Sequence, residues 1–328
     1  MKIKPIIIVL GEPYSTFSEI IFKLFTGERK KTIKRPLVLI GSKKLLDKQM
    51  LKLNYRLKIN LLKISDFKKK NLKKNLIYLI DVDFKFKKTF DKISTKSQKY
   101  ITVCFDYALK ILKDGNAHGL VNGPVSKKHF LEKKYLGVTE YLKNKSKTKK
   151  DPTMLIYNPN FSVCPITTHL PLKNVAKKIK IKKISYNVIQ INNFYKKYLR
   201  KKPYIAILGL NPHCETTDKF SEEEKIIKPA IKSLLKKNIR IKGPFSADTF
   251  FFKKNIKKFD VAVGMYHDQV LIPMKTLFGF DAINLTIGLP FIRLSPDHGT
   301  NNEMIGRNKS NPRSLYLALD FLNKINEA

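Results

Sequence analysis

Val261-Ala262-Val263-Gly264-Met265-Tyr266-His267-Asp268 is an apolar run that stops at a histidine and an aspartate. It is too short for a helix and apolar at successive positions, the pattern of a strand buried on both faces. Two further stretches repeat it. Ser162-Val163-Cys164-Pro165-Ile166-Thr167-Thr168-His169 and Ile205-Ala206-Ile207-Leu208-Gly209-Leu210-Asn211-Pro212-His213 also end an apolar segment on a histidine. Other short aliphatic runs cover 6–10, 37–40, 76–80, 119–121, 154–157 and 283–287. Helical spacing lies between many of them. Residues 98–113 place Ile101, Phe105, Ala108 and Leu112 on one face, 171–181 start with a proline, and 314–325 close the chain. Ser221 followed by Glu222, Glu223 and Glu224 predicts a capped helix over 221–237. Strands alternating with helices predict an α/β fold with sheets covered on both sides.

In such a sheet the carboxyl ends of parallel strands share one edge, where ligands bind. His169, His213 and His267 all fall there. Neutral imidazole is the commonest metal ligand. Three of them with an open position make a catalytic zinc-type or related divalent site. Of the remaining three histidines, His118 precedes a strand, His129 lies among lysines, and His298 sits in a polar turn. No G-x-G-x-x-G follows the first strand; the nearest loop, Gly11-Glu12-Pro13-Tyr14, does not match that dinucleotide fingerprint.

The 328 residues carry 66 Lys+Arg against 26 Asp+Glu, a net charge of +40. Only 8 of the basic residues are Arg. Lys lacks the planar fork that suits phosphate and base recognition, so the excess reads as a surface bias, with a non-catalytic nucleic-acid-binding protein as the remote alternative. The bias is uneven. Residues 1–250 hold 56 basic and 19 acidic side chains, whereas 251–328 hold 10 and 7. Between 259 and 308 the single lysine is Lys275, a candidate for a specific role. Asn284 lies within an apolar strand, where a polar side chain needs a partner. Arg293 follows Gly288-Leu289-Pro290-Phe291-Ile292, a placement that suits a phosphate or carboxylate fork. With a metal, these three suggest a small anionic substrate.

Hydrophobic residues make up 43%, enough for a core. The aliphatic run over 6–10 is too short to span a bilayer or to serve as a signal peptide. Cys104, Cys164 and Cys214 are too far apart for a C-x-x-C site, and their odd number argues against a disulfide framework. A cytoplasmic protein with no membrane association is expected. The lysine-rich stretch 143–150 is the expected domain junction.

Several motifs carry a family resemblance. They are Asn122-Gly123-Pro124-Val125-Ser126-Lys127, Thr139-Glu140-Tyr141-Leu142, Thr167-Thr168-His169-Leu170-Pro171-Leu172, Gly209-Leu210-Asn211-Pro212-His213 and Gly243-Pro244-Phe245-Ser246-Ala247-Asp248-Thr249. Met265-Tyr266-His267-Asp268-Gln269, Gly288-Leu289-Pro290-Phe291-Ile292-Arg293 and Asp297-His298-Gly299-Thr300 follow in order. Together they resemble 4-hydroxythreonine-4-phosphate dehydrogenases, NAD(P)-dependent oxidoreductases of pyridoxal-phosphate biosynthesis.

The resemblance implies an isocitrate/isopropylmalate-dehydrogenase-like fold, with two α/β/α domains and a central cleft. The expected domains are about 1–140 with 286–328, and about 141–285. It implies a homodimer with the metal site shared between subunits. It also implies a divalent metal (Zn, Mg or Co) on His169, His213 and His267, and substrate contacts from Thr139, Lys275, Asn284 and Arg293. Lys275 is the candidate proton shuttle. The 297–300 turn is similar to the loop that holds the cofactor's adenosine in the wider superfamily.

The implied reaction oxidises 4-(phosphooxy)-L-threonine to 2-amino-3-oxo-4-phosphooxybutanoate, which decarboxylates to 3-amino-2-oxopropyl phosphate. The chain departs from the family at Val138, where a histidine is usual, in the loop 11–19, and over 214–220. Val138 motivates an alternative substrate, another phosphorylated hydroxy acid such as phosphothreonate or phosphoerythronate.

Overall fold

The computed structural model describes residues 3–67, 71–132, 134–214, 221–296 and 298–325, without the side chains of 29 and 30. In chain order its strands are β1 (Ile6–Val9), β2 (Leu37–Gly41), β3 (Asn60–Leu61), β4 (Ile77–Asp81), β5 (Gly119–Asn122), β6 (Thr153–Tyr157), β7 (Ser162–Thr167), β8 (Ile205–Leu208), β9 (Ile241–Phe245), β10 (Val261–Tyr266), β11 (Ile283–Ile287) and β12 (Arg293–Pro296). The chain divides into two compact units, Met1–Asp151 with Leu289–Glu327, and Pro152–Gly288. The divisions fall after 151 and 288 rather than near 140 and 285. Tyr141 and Leu142, on the helix Val138–Lys145, are buried in the same core as Val38 and Leu120, which keeps that helix with the first unit.

The first unit orders its strands β3-β4-β2-β1-β5-β12, each neighbouring pair parallel. Parallel neighbours require crossover connections. Helices Phe17–Thr26, Lys43–Lys52 and Gln98–Lys113 follow β1, β2 and β4. All four β1 side chains are fully buried, as an unbroken aliphatic run requires. The helix Gln98–Lys113 matches its sequence pattern and places Ile101, Phe105, Ala108 and Leu112 in the core.

The second unit orders its strands β11-β6-β7-β10-β8-β9. β10 runs parallel to β7 and β8, and β8 to β9. β6 is antiparallel to both β7 and β11, so this sheet is mixed. The cause is local: only residues 158–161 join β6 to β7, too few for a crossover. Asn158 shapes that turn, its side-chain oxygen accepting from the Asn160 amide at 2.9 Å.

The helix expected over 171–181 is broken. A 3-10 turn Leu172–Asn174 and a short helix Val175–Lys178 give way to extended backbone at Ile179 and Lys180. Ile179 is fully buried there. A longer helix, Ile181–Tyr198, then runs with Ile184, Val188, Ile191 and Tyr195 inward. The helix expected over 221–237 opens with a π-turn, Glu223–Ile227, and continues as Lys228–Leu235.

Candidate functional site

The three strands that lead to the histidines are neighbours, in the order β7-β10-β8. His169 follows β7 by two residues, His267 follows β10 directly, and His213 follows β8 through a short loop. Tyr266 on β10 is in register with Thr167 on β7. The Thr167 hydroxyl donates to the Met265 carbonyl at 2.8 Å, tying the two strand ends together.

The His169 and His267 rings lie with centroids 5.9 Å apart. Two imidazoles bound to one divalent ion at ~2.0–2.1 Å through a ring nitrogen have centroids about 5–6 Å apart. The separation of the pair is of the size a shared ion requires. Asp268 Oδ1 lies 2.6 Å from His267 Nδ1, the outer-sphere carboxylate that commonly sets a ligand histidine's tautomer and orientation. His213 is held differently. Its backbone is left-handed (φ +56°), its side chain is 74% exposed, and its Nδ1 lies 3.9 Å from Asp248 Oδ2. Asp248's carboxyl sits below its usual pKa, chiefly through the Ser246 hydroxyl, then the Thr249 amide and the His213 charge. Among the described residues no group of three or more His, Cys, Asp and Glu side chains is arranged to hold a metal ion. The structure thus brings two of the three histidines together and leaves the third beside an aspartate.

The loop before His213 is closely tied. Glu223, buried, accepts from the Leu210 amide at 2.7 Å, the Asn211 amide at 2.9 Å and Asn211 Nδ2 at 2.8 Å. Burial alone would raise its pKa, but the Asn211 and Leu210 hydrogen bonds outweigh that and hold it below the usual value. Gln269 bridges two loops: its Oε1 accepts from the Met265 amide at 2.6 Å and its Nε2 donates to the Gly209 carbonyl at 2.7 Å. Two glycines leave room at this junction. A Cβ at Gly209 would come within 3.1 Å of Glu223 Oε1 and 2.5 Å of Cys214 Sγ, and one at Gly264 within 2.8 Å of Gln269 Oε1 and 2.4 Å of Val270 Cγ1.

Lys275 lies on the helix His267–Phe278 and is exposed. Asn284 is central on β11, opposite Ile156 on β6. Its Oδ1 is buried and accepts no hydrogen bond from the described residues, an orphan acceptor that a ligand donor would satisfy.

Thr139 and Arg293 belong to the first unit and lie side by side. Arg293 begins β12 and is 3% exposed. Its Nε donates to Asn122 Oδ1 at 2.7 Å and its Nη1 to Thr139 Oγ1 at 3.4 Å. Burial pushes its pKa down to about 10, opposed by the charge of Glu140, so it remains cationic at neutral pH. Asn122, at the end of β5, also donates from Nδ2 to the Gly123 carbonyl at 2.8 Å, which orients its oxygen toward the arginine. The result is a buried, oriented guanidinium, suited to a phosphate or carboxylate.

The family model for Pyridoxal phosphate biosynthetic protein PdxA matches residues 32–322. The chain belongs to the PdxA family. The 4-hydroxythreonine-4-phosphate dehydrogenase of Sulfurihydrogenibium sp. is 39% identical over 319 residues, 96% of each chain. That of Aquifex aeolicus is 36% identical over 335 residues, covering 98% of this chain and 99% of the relative. The crystal structure of a 4-hydroxythreonine-4-phosphate dehydrogenase from Burkholderia phymatum superimposes with a TM-score of 0.81 at 26% identity, covering 99% of both chains. This PdxA family member therefore shares fold and length with its relatives.

Sequence reasoning does not single out Asn122, Glu140, Glu223 and Gln269, which hold or face the candidate residues and their loops, nor the buried Glu12. Asn122, Glu140 and Gln269 stand inside the quoted motifs, and Glu223 was read only as part of a helix cap. Glu12 was read only as part of a loop. It is buried, its Oε2 accepts from the Ser97 hydroxyl at 3.0 Å, and burial raises its pKa to about 7 against the Ser97 and Tyr14 hydrogen bonds. In the 297–300 turn, Asp297 lies outside the described residues, as do 215–220 of the divergent stretch after His213.

Proposed function

We propose that the chain oxidises 4-(phosphooxy)-L-threonine with NAD or NADP and a divalent metal. The product, 2-amino-3-oxo-4-phosphooxybutanoate, loses its carboxylate to give 3-amino-2-oxopropyl phosphate, a step of pyridoxal-phosphate biosynthesis. The observation that carries this is the set of three histidines at the ends of three adjacent strands, two of them with rings 5.9 Å apart.

His169, His213 and His267 would hold the metal (Zn, Mg or Co), with Asp268 orienting His267. Bound there, a divalent cation supplies Lewis acidity toward the substrate hydroxyl and the carbonyl formed from it. Arg293, fixed by Asn122 and Thr139, binds the anionic end of the substrate. Asn284 offers its orphan oxygen to a substrate N–H or O–H. Lys275 would contact the substrate and take up the hydroxyl proton; NAD or NADP, when bound, would supply the hydride acceptor.

The chain acts as a homodimer with the metal site shared between subunits. A cytoplasmic location fits the reaction; among the described residues no helix is long and apolar enough to cross a membrane.

A second reading rests on Val138, the first residue of the helix Val138–Lys145 and neighbour to Thr139. Valine cannot donate the hydrogen bond that a histidine would, so phosphothreonate or phosphoerythronate is the alternative substrate. The test is NAD(P)H formation with added divalent metal across a panel of phosphorylated hydroxy acids. The highest kcat/KM is expected for 4-(phosphooxy)-L-threonine. A higher value for phosphothreonate or phosphoerythronate would assign the alternative.

A further inference from the structure

We infer that Gln269 and Glu223 are positioning residues of the metal centre, fixing the spacing of the loops that carry His267 and His213. The inference rests on the metal reading above and extends it to side chains that touch no ligand.

The geometry of Gln269 is specific to a carboxamide. Oε1 accepts from the Met265 amide, two residues before His267, and Nε2 donates to the Gly209 carbonyl, four residues before His213. One planar group thus clamps the end of β10 to the end of β8. A carboxylate could keep the first bond but not the second, because it has no proton to donate.

Glu223 fixes the rest of the same loop. Its carboxylate gathers the amides of Leu210 and Asn211 and the side-chain amide of Asn211. Asn211 Nδ2 also donates to Glu222 Oε2 at 3.0 Å. Three donors converge on one acidic side chain just before His213, whose left-handed backbone needs external support.

This support matters because His213 has little of its own. The ring is largely exposed and its nearest recorded charged partner, Asp248, is 3.9 Å away. A ligand whose side chain is loosely held depends on its backbone anchor for its placement, whichever subunit supplies the other ligands of its site. Groups hydrogen-bonded to a ligand histidine itself typically contribute ~10–100-fold to metal affinity, which sets the upper scale for clamps that act through the backbone. Gly209 and Gly264 complete the device, since each leaves room for one of the two side chains.

The test is titration of the metal-free full chain with Co2+ alone, followed by calorimetry and visible absorption. The variants are Gln269→Glu, Gln269→Ala, Glu223→Gln and Glu223→Ala, with His267→Ala as reference and near-UV circular dichroism as the check on folding. Wild type is expected to bind Co2+, and His267→Ala to lose most of that affinity. Folded Gln269→Glu and Gln269→Ala are expected to bind Co2+ more weakly, by up to ~10–100-fold. Glu223→Gln, which can still accept the two backbone amides, should fall between wild type and Glu223→Ala. Co2+ affinity equal to wild type in folded Gln269→Glu, with affinity lost in His267→Ala, overturns the positioning role alone. Equal affinity in His267→Ala and wild type overturns the metal reading as well.

Discussion

The Arg293 cluster and the histidine strand ends are built in opposite ways. Arg293 is 3% exposed and bonded to Asn122 and Thr139; His213 is 74% exposed and is held through its backbone. A buried guanidinium must be paired where it sits, because an unpartnered charge in the interior is costly. A metal ligand needs a lone pair left open, so its rigidity comes from the residues behind it. The proposed anion site would therefore be complete in its own side chains, whereas the proposed metal site would be assembled from strand ends and the residues behind them.

Replacing Arg293 probes that contrast most strongly. Arg293→Ala leaves Asn122 Oδ1 without its donor and the half-buried Glu140 without the nearby positive charge. It should cost about 3–5 kcal/mol of stability, measured by chemical denaturation. Arg293→Lys keeps the charge and loses the fork, so the fold should persist while KM rises by more than tenfold. An unchanged KM would remove Arg293 from substrate binding.

Glu12 is a buried acid with no cation paired to it among the described residues, and so tests the cost of burial. Its folded pKa, about 7, lies above its ordinary value of 4.5. The folded state therefore binds more protons than the unfolded state between those values. Its contribution is fully present below pH 4.5 and is lost as pH rises through 7. Glu12→Gln should abolish this fall and stabilise the protein at pH 8 by up to ~3 kcal/mol relative to its effect at pH 5. The comparison is of thermal or denaturant midpoints at both pH values; an equal effect at both would show that the carboxyl titrates normally.

Val138 gives the smallest effect. Val138→His, beside Thr139, adds one polar contact of about 1–3 kcal/mol to the substrate that needs it. Its kcat/KM for 4-(phosphooxy)-L-threonine should rise by about tenfold. A fall would mean that the site is adapted to valine.

Strands that carry aliphatic runs were legible in the sequence, because burial on both faces leaves an unbroken apolar signature. β9 was not, since Ile241-Lys242-Gly243-Pro244-Phe245 carries the residues of a turn, tolerated here on the edge of a sheet. β12 is short and polar; Arg293 was legible as an anion-binding candidate, but its burial and its bonds to Asn122 and Thr139 were not, because they depend on which strands lie side by side. The helix Ile181–Tyr198 was hidden by its lysines and asparagines, although Ile184, Val188, Ile191 and Tyr195 keep helical spacing. The histidines were legible because they end three similar strands. Gln269 and Glu223 were not, because a positioning role depends on which loops fold next to each other.

The most direct test of the central claim is the divalent-metal dependence of NAD(P)H formation from 4-(phosphooxy)-L-threonine, in wild type and in His213→Ala. Wild type should turn over with added metal and stop with a chelator. Folded His213→Ala should lose ~10³-fold or more in kcat, the scale of several kcal/mol of transition-state stabilisation. A folded His213→Ala that keeps kcat within a few-fold of wild type would contradict the assignment.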